Sequence, residues 1–159
     1  MAAREIDEIT GIVVDAAYKI HVGLGPGLLE SVYEAVLARE LERRGLRVQR
    51  QVAVSFYYDG IHFDEGLRID LLVDGVVVVE LKSVEKLAAV HSKQLLTYLR
   101  LMNLTVGLLI NFGSATLKEG VHRIVNNYVP SSSYSSSPPS TLSSSSAPPR
   151  LRVNEAGPP

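Results

Sequence analysis

Four consecutive valines, Val76–Val79, run straight into Glu80, Leu81 and Lys82. β-Branched side chains crowd a helix and suit a pleated surface, and an unbroken run of them reads as a strand covered on both faces. Two charges in such a strand constrain the fold more than any other feature of the chain. Glu80 and Lys82 are two apart and share one face. Asp70 lies on the preceding strand, RIDLLV (68–73), which Asp74-Gly75 joins to the valine run as a hairpin. A strict two-residue turn would set Asp70 opposite Val79, pointing away from Glu80. A three-residue bulged turn with Gly75 left-handed sets Asp70 opposite Val78, one diagonal step from Glu80 on the same face. The bulged turn is the expectation, because it alone gathers the three charges.

Two carboxylates and one ammonium in a nearly dry sheet are costly unless paired or bound to a cation. An ion pair between Lys82 and one acid would account for a lone E-x-K. The second acid overfills that pair and leaves a net negative pocket. Hard oxygen donors without nearby thiolate or imidazole favour Mg2+ or Mn2+, held by Asp70, Glu80 and the backbone carbonyl of Leu81. Gln94 and Tyr98 are four apart and share a helix face. Gly27, Glu30 and Tyr33 are three apart, one stripe on an earlier helix. Core packing with a polar tip would explain each tyrosine, and a first-turn position would explain Glu30. His91, one turn before Gln94, could join the site but reads better as a solvated helix residue, and His21, His62 and His122 show no ligand spacing.

Apolar spacing of three and four over residues 4–21 predicts an amphipathic helix. GLGPG (23–27) ends it, Pro26 can open a second helix, and Gly45 can cap that one. Strands are expected at VQRQVAVSFYY, LRIDLLV and VVVVELKS, a helix at 88–102, and a strand at VGLLINF (106–112). VHRIVNNY (121–128) reads as a final strand or a helical turn. The fold class is α/β or α+β, a mixed sheet flanked by helices. Composition changes after Tyr128: eleven serines fall between Ser131 and Ser146, and seven of the eight prolines fall from Pro130 onward. The division is therefore a folded domain over 1–128 and a disordered Ser/Pro-rich tail over 129–159. The chain has no cysteine, which excludes disulfides and thiolate metal sites and suits the cytoplasm. No apolar run is long enough to span a membrane, and the acidic start is unlike a signal peptide. A formal charge of -1 means that any nucleic-acid contact must come from a local patch. Arg43, Arg44, Arg47, Arg50 and Arg68 could form a phosphate-tracking edge or a solvated helix end.

Taken in order, GLGPGLLESVYE (23–34), RGLRVQRQV (44–52), RIDLLV (68–73), VVELKSVEKL (78–87), HSKQLLTYL (91–99) and GLLINFG (107–113) resemble the PD-(D/E)XK nuclease superfamily, and more narrowly its GxxExxY family. The superfamily motif is matched by Asp70, nine intervening residues, then Glu80-Leu81-Lys82, with Ile69 where the label has proline. Gln94 and Tyr98 resemble its Q-x-x-x-Y helix motif, and Gly27, Glu30 and Tyr33 match the narrower signature. The resemblance implies a core of four strands in a mixed sheet, in the order αβββαβ. It implies that Asp70 and Glu80 bind Mg2+, that Lys82 orients or activates the attacking water, and that Glu30 completes the metal or water shell. Gln94 and Tyr98 would position substrate or support the site. The implied activity is Mg2+-dependent hydrolysis of phosphodiester bonds in DNA. The alternative is a non-catalytic module of the same fold that binds nucleic acid or a protein partner.

Overall fold

The structure, a computed structural model, describes residues 3–129. The tail assigned to 129–159 falls outside these residues except for Val129. The elements run α1 (Ile6–Leu24), α2 (Glu30–Arg43), β1 (Val48–Tyr58), β2 (Ile61–Val73), β3 (Val77–Lys82), α3 (Ala89–Met102), β4 (Val106–Asn111), α4 (Leu117–Gly120) and β5 (Val121–Val125). One sheet holds five strands in the order β1-β2-β3-β4-β5, so the expected four-strand core gains VHRIV as an edge strand. β3 and β4 are parallel, joined through α3, and the other neighbours are antiparallel. The sheet is mixed, as expected, and the class is α+β.

The valine run is buried because the sheet is covered on both sides. Val77, Val79 and Leu81 pack with Ile9, Val13, Ala17, Leu37 and Leu41 of α1 and α2, while Val78 packs with Leu95 and Leu99 of α3. Alternation along β3 thus feeds two separate cores, which is why no residue from Val77 to Val79 can be polar. The first charge of the strand, Glu80, is itself buried, and exposure rises only at Lys82.

Two boundaries differ from the sequence reading. Pro26 does not open the second helix, which starts at Glu30. Gly25 and Gly27 take φ of 73° and 100°, left-handed values that no helix can include, so α1 runs through Leu24 and residues 25–29 form a loop. Gly27 therefore precedes α2 and does not share a helical stripe with Glu30 and Tyr33. β2 starts at Ile61, six residues earlier than expected, because Asp59 (φ 49°) and Gly60 (φ 74°) form a second left-handed turn pairing Tyr58 with Ile61. Residues 61–66 are all exposed and so carry no alternation to reveal the strand. No helix among the described residues is long and apolar enough to cross a membrane.

Candidate active site

The β2–β3 ladder pairs Val73 with Val77, Leu72 with Val78 and Leu71 with Val79. Three residues lie in the turn, with Asp74 (φ 49°) and Gly75 (φ 74°) both left-handed. The bulged turn forms as expected, but its partner assignment needs correcting. The extra residue, Val76, shifts pairing further along β3, so this register leads Asp70 to Glu80 and not to Val78.

Pairing ends at that point. Leu81 donates its N–H to Asp70 Oδ2 at 2.8 Å, and Asp70 donates its own N–H to Glu80 Oε1 at 3.2 Å. Two carboxylates stand where ladder carbonyls would be. A strand residue's N–H and C=O point to the same neighbour, so the Leu81 carbonyl faces this opened gap as well. The gap arises because β1 and β2 turn over here. Leu71 packs under α1 and α2, but Ile69, two residues away, packs under α3; Val48 and Val52 of β1 divide in the same way. Between them Gln51 has φ 49°, across from Asp70.

Glu80 is 8% exposed, and its carboxyl is pushed up to about 8, first by burial and then by the adjacent Asp70 charge. Burial also raises Asp70, against the lowering effect of the Leu81 N–H. The Lys82 charge favours ionisation of both acids, yet among the described residues Lys82 makes no ion pair. The simple Lys82–carboxylate pair is therefore not formed, and the ammonium is left for another partner.

The remaining candidates divide. Glu30 is the first residue of α2, and its Oε1 accepts the N–H of Ser83, just past β3, at 3.2 Å. Tyr33 is fully buried and stacks on Phe112 with ring centroids 4.3 Å apart. Its hydroxyl donates to Gly25 O at 2.5 Å and accepts the Leu28 N–H at 3.2 Å, pinning the loop that leads to Glu30. Gln94 Nε2 donates to Tyr98 OH at 2.5 Å. Burial first, then the Glu80 charge, raises the Tyr98 hydroxyl. His91 Nδ1 accepts the Ala88 N–H and caps its own helix. The basic residues do not act as one edge. Arg50 pairs with Glu34, and Arg68 with Glu65 and the Gln51 carbonyl, but Arg44 holds Asp15 and Glu40 and Arg47 holds Asp74.

An open cleft of about 540 Å³ leads to Asp70, lined also by Leu28, Glu30, Glu34, Gln51 and Ser83. Three supporting residues escaped sequence reading. Glu34 lies one helical turn after Glu30, a spacing that could have marked it. Asn111 is fully buried in an apolar strand, and such a group requires partners. It joins Val84 N and O, Gly113 N and Ser114 Oγ, tying β4 to the segment after Lys82. Gln51 gave no signal in the sequence.

No group of three or more His, Cys, Asp or Glu side chains arranged to hold a metal ion occurs among the described residues. What the gap offers is two carboxylates and a backbone carbonyl, all hard oxygens. That set fits Mg2+, which keeps several of its waters and takes only one or two protein carboxylates. Buried Glu80 and half-buried Asp70 cannot both ionise comfortably, which also suits a cation between them.

The family model described as the PD-(D/E)XK nuclease superfamily matches residues 7–124, from α1 into β5. No curated protein and no solved structure matches the chain.

Proposed function

The chain belongs to the PD-(D/E)XK nuclease superfamily, and from that premise we propose that it is a divalent-metal-dependent nuclease of the GxxExxY family acting on phosphodiester bonds of DNA in the cytoplasm. The observation that carries the reading is the pair of carboxylates, half-buried Asp70 and buried Glu80, that interrupts the β2–β3 ladder beside Lys82, which makes no ion pair among the described residues. Asp70, Glu80 and the Leu81 carbonyl hold Mg2+ or Mn2+. The ion supplies Lewis acidity toward the phosphate and the attacking water. Lys82, in no ion pair among the described residues, directs its ammonium at the nucleophile or a phosphate oxygen. Glu30, held by the Ser83 N–H at the cleft, orients water on the side facing α2. The Gln94–Tyr98 pair positions the substrate strand from α3. Tyr33 and Gly27 serve indirectly, through the loop that sets Glu30.

The competing reading, a non-catalytic module for nucleic acid or a protein, draws on Arg44 and Arg47, whose charges are taken up by Asp15, Glu40 and Asp74 and not offered at the cleft. Cleavage separates the two. Purified protein is expected to cut single- or double-stranded DNA when Mg2+ or Mn2+ is added and to stop when EDTA is in excess. DNA binding with intact substrate at every metal concentration would favour the module.

A further inference from the structure

Gln51 has a backbone it should avoid. Its φ of 49° lies in the left-handed region, where Gly is at ease and Asn and Asp are tolerated, but where glutamine gains nothing. The turn at this point would form more easily with glycine, so the side chain is the place to look for a reason. Gln51 Nε2 lies 2.6 Å from Glu34 Oε2 and 3.3 Å from Asp70 Oδ1. Both neighbours are carboxylates, so the amide must present its NH2 end to them, and its two N–H groups can serve one each. Glu34 is itself held by Arg50 Nε at 2.9 Å and is 5% exposed. The left-handed backbone also turns the Gln51 carbonyl to Arg68 Nη1 at 3.3 Å.

We propose that Gln51 is a positioning residue for Asp70: standing between two carboxylates, its amide fixes the Asp70 carboxylate plane in the gap while the Arg50–Glu34 pair fixes the amide. Asp70 Oδ2 is already held by the Leu81 N–H, so the Gln51 contact on Oδ1 removes the remaining rotation of the carboxylate. Without the amide, Asp70 and Glu34 would face each other across the cleft with nothing between them. The inference rests on the metal reading of Asp70. Supports of this kind hold a ligand in its binding orientation, and losing one typically lowers metal affinity about 10–100-fold.

The test uses the full chain and Mn2+ alone, with affinity read by titration calorimetry and fold by thermal melting in chelator. Gln51→Gly removes the amide but relaxes the backbone, and Gln51→Met removes the amide while keeping size and strain. Both variants are expected to bind Mn2+ roughly 10–100-fold more weakly, with the glycine variant melting no lower than the parent. A glycine variant with parental Mn2+ affinity overturns the proposal. So does an affinity loss that merely follows the melting temperature across the two variants, which would make Gln51 a structural residue only. A parent chain that binds no Mn2+ fails differently: it removes the metal reading of the site, and this inference with it.

Discussion

Under the proposed function, Lys82→Ala is expected to lower metal-dependent DNA cleavage by on the order of 10²–10³-fold or more, down to background, while the protein keeps its fold. The size follows from where the ammonium is. Lys82 ends a strand buried on both faces, its register fixed by pairing with Asn111 on β4 and by the Phe112 N–H bond to its own carbonyl at 2.8 Å. A donor held this way needs no reorganisation when charge develops at the nucleophile or phosphate, and such donors are worth the most. Because Lys82 is in no ion pair among the described residues, its removal strands no partner, and stability changes little. Lys82→Arg restores only part of the rate, since a planar guanidinium cannot replace a compact ammonium at a fixed distance. Cleavage that persists in Lys82→Ala points to a contaminant or to another site.

The second large effect is on stability and its pH dependence. Glu80 has a folded value of about 8 against an ordinary value of 4.5. Between those values the folded protein holds a proton that the unfolded chain has released, so unfolding becomes easier as pH rises. Its contribution is full below 4.5 and is lost as pH climbs through 8. Metal-free protein is therefore expected to melt at a lower temperature at pH 9 than at pH 5.5. Glu80→Gln removes that loss: the glutamine Oε1 still accepts the Asp70 N–H, and its amide can donate to the Asp70 carboxylate. At pH 9 in chelator the variant should be more stable than the parent by a few kcal/mol, on the order of 10 °C, with little difference at pH 5.5. Asp70→Asn should act in the same direction and less strongly, because burial raises Asp70 too. A clear drop in stability for Asp70→Asn would show instead that the ionised carboxylate holds the Leu81 N–H for the fold's sake. Thermal melts across pH, with and without Mn2+, measure all of this, and Mn2+ should stabilise the parent but not Glu80→Gln.

Much of this was legible in the sequence because apolar pattern and burial coincide. The valine run reads as a doubly covered strand because α1 and α2 lie on one face and α3 on the other. Asp74-Gly75 reads as a turn because its left-handed residues are chemically marked. Which strand receives the extra residue is not marked, so Asp70 was matched to Val78 when the register leads it to Glu80. Pro26 suits the first turn of a helix, but the left-handed glycines on either side of it delay α2 to Glu30. Tyr33 was rightly given core packing as one of its two possibilities, yet nothing in its spacing showed that its hydroxyl holds the Gly25 loop. Glu34 has a trace in its one-turn spacing from Glu30, but Gln51 has none, because its significance comes from strands that turn over, a feature of three-dimensional packing without periodicity.

In the proposed function the Asp70–Glu80 gap takes a divalent cation. Titration calorimetry of Mn2+ into the full chain at pH 7, run in two buffers of different ionisation enthalpy, reads both affinity and protons released. With Glu80 still largely protonated at that pH, the expected result is one saturable site that releases close to one proton per ion and is lost in Glu80→Gln. An absence of Mn2+ binding, or binding that Glu80→Gln leaves unchanged, would contradict it.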